Sequence, residues 1–128
     1  MTLHRLELPR HEHPFIGTWH IYEMELWDAG YFNMEVQAYV EIRADNLGSF
    51  QFGLVSGGLH GSLEGEPPRQ RFVFTWEGGD EMDPASGSGW LRLKDENLAL
   101  GMIGIHRGDR SRFRARRASP PGASGQTS

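Results

Sequence analysis

The sequence contains no cysteine, which excludes a disulfide framework and thiolate metal sites. It also has no stretch approaching the roughly 18 consecutive apolar residues that a membrane-crossing helix needs. The first fourteen residues carry Arg5, Glu7, Arg10, Glu12 and three histidines in place of the apolar run of a secretory signal. The expected compartment is therefore the cytoplasm, with no membrane partner. Neither sign of charge dominates: 13 basic side chains face 17 acidic ones for a net charge of -4, which argues against nucleic acid as a partner. Amphipathic helical spacing is missing as well.

Glycine is plentiful, at 17 of 128 residues against an average usage of roughly 7%. With 11% aromatic residues, this composition points to an all-β domain rich in turns. Val36, Ala38, Val40 and Ile42 alternate with Glu35, Gln37, Tyr39, Glu41 and Arg43, the pattern of a strand with one buried and one wet face. Phe50, Phe52 and Leu54 alternate with Ser49, Gln51 and Gly53, and Phe72, Phe74 and Trp76 with Arg71, Val73, Thr75 and Glu77. Both runs turn aromatics inward.

Turn chemistry punctuates the chain at Asp45–Gly48, Ser56–Gly58, Pro67–Gln70, Asp95–Asn97 and Arg107–Asp109. The runs between give eight strands: Phe15–Leu26, Glu35–Arg43, Gly48–Ser56, Leu59–Glu66, Arg71–Glu77, Gly89–Lys94, Leu98–His106 and Arg110–Arg117. Short links join antiparallel neighbours. Only closure removes both sheet edges, so the expected fold is an antiparallel up-and-down eight-stranded barrel over residues 15–117. Residues 1–14 read as an N-terminal arm, and residues 118–128, without charge or large apolar side chains, as a disordered tail. Two longer connections, Trp27–Met34 and Gly78–Ser88, are expected as loops.

Gly17-Thr18-Trp19 at the start of the first strand of such a meander resembles the entry motif of lipocalins, avidins and related calycin barrels. The resemblance implies that an arginine near the end of the last strand packs on Trp19 and closes the barrel floor, with Arg114 or Arg116 as the matching residue. The chain departs from lipocalins in being short and without cysteine, and from avidins in lacking the polar set that holds biotin. Its Glu-Met, Trp-Glu-Gly and His-x-Gly-Asp segments also resemble those of small bacterial proteins of no assigned function.

An eight-stranded barrel is just wide enough to be filled by side chains or to hold one small ligand. The leading expectation is a non-catalytic binding barrel for a small apolar or amphipathic molecule, its cavity lined by Trp19, Glu23, Phe50, Phe52, Phe72, Phe74, Trp76 and Met102. Alternation places Glu23 on the inner face with Trp19. A lone buried carboxylate is costly, so either a bulge shifts the register or Glu23 anchors a polar group in the cavity. The alternative is a protein-interaction module that uses Asp80, Glu81 and Asp83 of the acidic loop, or the arginines of the last strand.

Other patterns carry less. His11-x-His13 has a spacing that metal sites use, but it is expected to be a solvated arm. The acidic loop lacks calcium-loop spacing. Arg110, Arg112, Arg114 and Arg116 form one strand face with no stacking aromatics interleaved on that face, against nucleic acid. His106, Asp109 and Ser111 flank a tight turn that offers no oxyanion hole. A barrel-hosted isomerase or hydrolase is accordingly the least favoured class. No metal or cofactor is expected, and the oligomeric state is left open.

Overall fold

A computed structural model describes residues 13–119. Eight strands follow in order: β1 (Gly17–Met24), β2 (Tyr39–Ile42), β3 (Leu47–Phe52), β4 (Val55–Glu64), β5 (Arg71–Asp80), β6 (Asp83–Asp95), β7 (Leu98–Ile105) and β8 (Arg110–Ser119). Each pairs antiparallel with the next, and β1 pairs with β8 to close the barrel. The one helix among the described residues is the single turn α1 (Ala29–Phe32). Its first turn is capped by Asp28, which accepts from the Tyr31 amide at 3.2 Å.

The turns follow their local chemistry. Asp95 Oδ1 accepts from the amides of Asn97 at 2.8 Å and Leu98 at 3.0 Å, an Asx-type turn. Asn46 takes a φ of 67°, the left-handed conformation that asparagine tolerates. The turn expected at Ser56–Gly58 lies instead at Gly53 and Leu54, because β4 begins at Val55. Gly53 has a φ of 61°, and an added Cβ would collide with the Tyr31 ring.

Two further expectations are corrected. The segment Gly78–Ser88 is not a loop: β5 and β6 stay paired out to Asp80 and Asp83, leaving Glu81 and Met82 as a two-residue turn. Glycine obscured this in the sequence, and close packing explains its presence. A Cβ on Gly78 would run into the Ser56 carbonyl of β4. The strand expected from Glu35 begins only at Tyr39, since Glu35, Val36 and Gln37 are exposed and belong to the connection that carries α1. At the far end Ala118 and Ser119 continue β8. Residues 1–12, with His11, and the rest of the expected tail lie outside the described residues.

β1 carries irregularities opposite β8, one of them between Ile21 and Glu23. It turns both Tyr22 and Glu23 outward while Ile21 and Met24 stay buried. The register along the barrel is therefore set by aliphatic and aromatic burial, and among the described residues no carboxylate enters the core.

Candidate binding surface

The inward side chains fill the barrel. Trp19, Phe50, Phe52, Phe72, Phe74 and Trp76 all point inside and are 0–4% exposed. A hollow calyx leaves its lining against water-sized space, whereas rings this enclosed leave none beside them. Phe50 meets Trp76 edge-on at 4.9 Å between centroids, and the Trp76 indole N–H donates to the Gly104 carbonyl at 3.1 Å. Glycines on the inner face make room for the rings: a Cβ on Gly87 would stand 2.8 Å from Trp76 Nε1, and one on Gly101 would strike the Phe113 ring. This pairing of large with small residues fits bulky rings into a narrow barrel.

Both ends are stoppered. At one end Trp27 packs on Phe52 at 5.1 Å and Phe32 of α1 is buried. At the other, the Trp19 indole N–H donates to the Phe15 carbonyl at 3.0 Å, and the Arg117 guanidinium stands over the Trp19 ring. Arg117 also donates to the carbonyls of Ile16, Pro14 and Glu96. Burial lowers its pKa from the ordinary arginine value, and the nearby Glu96 carboxylate opposes that shift. The arginine over Trp19 is thus Arg117, neither Arg114 nor Arg116. Strict alternation from Phe113 through Ala115 reaches Arg117 on the inner face, a signal present in the sequence.

Two residues expected to line the interior lie outside it. Glu23 is exposed, its carboxylate 3.9 Å from Arg114. Met102 is outward and partly exposed on β7, between buried Gly101 and Ile103.

The outer wall over β6, β7 and β8 has a regular chemical pattern. β7 turns Leu98, Leu100 and Met102 outward, each partly exposed. The register sets Arg116 opposite Leu98, Arg114 opposite Leu100 and Arg112 opposite Met102 on β8. On the other flank, Arg92 stands opposite Leu100 and Trp90 opposite Met102. An apolar stripe therefore runs between the arginines of β8 and Arg92 of β6, about 10 Å or two strand spacings apart, while Asp95 of β6 stands opposite Leu98. Glu23, Glu25, Trp90, Arg92, Leu100, Arg112 and Arg114 help to line an open groove of about 340 Å³ here.

These arginines are weakly neutralised. Arg112–Glu25 and Arg114–Glu23 are 3.9 Å pairs between largely exposed side chains, a class worth about 0–1 kcal/mol. Arg92, Arg110 and Arg116 form no ion pair among the described residues. Arg71 and Arg92 are direct cross-strand partners, an arrangement of like charges that costs stability. Aromatic neighbours come from adjacent strands: Arg71 and Arg92 stand 5.3 and 6.0 Å from the Trp90 ring, and Arg116 4.5 Å from Tyr22. Reading β8 alone misses them, because strand pairing brings them to its face.

The acidic residues Asp80, Glu81 and Asp83 gather at the β5–β6 turn around Met82, which is 92% exposed. Among the described residues, no group of three or more His, Asp or Glu side chains could hold a metal ion. His13 bonds to Asn46 Oδ1 at 2.8 Å and its ring packs beside Phe15 and Phe72. Ser111 is fully buried and donates to the Arg112 carbonyl at 2.9 Å, while His106 is exposed. The hairpin therefore holds no serine–histidine pair ready for nucleophilic chemistry. No helix among the described residues is long and apolar enough to cross a membrane. The chain matches none of the protein-family models, curated proteins or solved structures with which it was compared.

Proposed function

We propose that this protein is a non-catalytic interaction module that works from the outside of its barrel, binding an acidic, partly apolar segment of a protein partner along β7. The observation that carries this reading is the apolar stripe Leu98–Leu100–Met102 between the arginines of β8 and Arg92 of β6. Such a strip buries apolar side chains while the guanidiniums of β8 on one flank and Arg92 on the other select carboxylates. The small-molecule calyx requires room inside, and the enclosed rings of Phe50, Phe72, Phe74 and Trp76 weigh against it. Gly17-x-Trp19 beneath Arg117 supports kinship with calycin barrels in architecture alone, since a fold does not carry a function.

The test is a titration of the protein with a synthetic peptide of alternating glutamate and leucine, followed by amide chemical shifts. Shifts should map to β6, β7 and β8 and weaken as salt is raised. Replacing Arg92 and Arg114 together by Glu should abolish them. Equal binding by that variant, or no binding at low salt, overturns the reading. A fatty acid that instead stabilises the barrel saturably, with loss on Phe74→Ala, restores the calyx.

A further inference from the structure

We infer that the acidic segment taken by the β7 groove is the β5–β6 hairpin tip of a second copy of this chain, so that the barrel self-associates through two different patches. The inference rests on the outer-wall reading above and names its partner. The tip Asp80-Glu81-Met82-Asp83 presents one apolar side chain, 92% exposed, among three carboxylates. The groove presents Leu100 among Arg92, Arg112 and Arg114, with Glu23 and Glu25 also in its lining and Met102 next to it along β7, so that its net charge is opposite to that of the tip. Trp90 beside it offers an aromatic edge to a methionine sulfur, a favourable contact.

The tip is free to reach a neighbour. β6 pairs with β7 only from Gly87 onward, with one further link from the His106 amide to the Ser86 carbonyl. Asp83, Pro84 and Ala85 are therefore bound on the β5 side alone. The tip cannot fold back into its own groove, because Asp80 is held by pairing to Val55 and the Glu81 amide donates to the Leu54 carbonyl at 3.0 Å. Docking must then be between molecules. A hairpin tip is a small contact, in the class of weak and transient interfaces, so association belongs at high protein concentration and low salt.

Sedimentation velocity on the full chain, from micromolar to millimolar protein in low salt, provides the test. The sedimentation coefficient should rise with concentration and return to the monomer value in high salt. The tip variant carrying Met82→Lys and Asp83→Lys should stay monomeric, as should the groove variant carrying Arg92→Glu and Arg114→Glu. Mixing the two variants should restore association, because the unaltered tip of the groove variant then meets the unaltered groove of the tip variant; this outcome also shows that both are folded. A wild type that stays monomeric throughout, or association unchanged in both variants, overturns the inference. If the glutamate–leucine peptide still binds the wall of a strictly monomeric wild type, the interaction reading stands and only self-association falls.

Discussion

The guanidinium carbon of Arg117 stands 4.3 Å from the centroid of the Trp19 ring, and its nitrogens reach the carbonyls of Pro14 at 2.8 Å, Ile16 at 2.9 Å and Glu96 at 3.0 Å. One side chain thereby ties the last strand to the segment before the first and to the β6–β7 turn. Arg117→Ala should lower stability by about 2–4 kcal/mol, the sum of lost charge-assisted hydrogen bonds and a cation–π contact, less what water restores. Urea denaturation of Arg117→Ala, Trp19→Ala and the double variant gives the coupling between them. An unfolding midpoint unchanged by Arg117→Ala would contradict the staple.

The inner glycines make a second, opposite kind of prediction, since adding one methyl group should harm. Gly101→Ala should cost about 1–3 kcal/mol by overpacking against Phe113. Trimming the ring with Phe113→Leu in the same chain should recover part of that loss. Two independent, additive destabilisations would mean that the residues do not compete for space.

Glu23 should matter little. Its 3.9 Å pair with Arg114 lies at the surface, so Glu23→Gln should shift stability by less than about 1 kcal/mol. Thermal melting checks this. A large loss would mean that the carboxylate is buried after all.

The filled interior predicts that palmitate and retinol leave the melting temperature of the wild type unchanged. Phe50→Ala should cost about 3–5 kcal/mol and open a cavity. A benzene-sized ligand should then stabilise that variant and not the wild type, as mass action requires. A saturable shift of the wild type by either lipid would refute the packed core.

Much of the fold could be read from alternation, because one face of nearly every strand is buried and a period of two survives in the letters. Phe50, Phe52, Phe72, Phe74 and Trp76 are inside for that reason. Alternation failed where the backbone breaks period: the irregularity at Tyr22 and Glu23 in β1 turns out the carboxylate that a strict count puts inside. It was also unreadable through glycine, so the paired ends of β5 and β6 resembled a loop. Of the outer groove, only the arginine face of β8 was legible. Leu100, Arg114 and Arg92 are separated along the chain and meet only through the register of three strands.

Closure by β1 and β8 also governs how the chain can be made. Arg117 and Ile16 are 101 residues apart, and every contact across that seam waits for β8. During synthesis on the ribosome, β1 through β7 form at most an open sheet with two unsatisfied margins, which exposes it to wrong pairing until the last strand emerges. Contacts so distant in sequence make folding slow for a chain of this size. The arginine-rich character of β8 then has a second consequence. The strand that seals the barrel arrives strongly charged and soluble, and repels other nascent copies of itself.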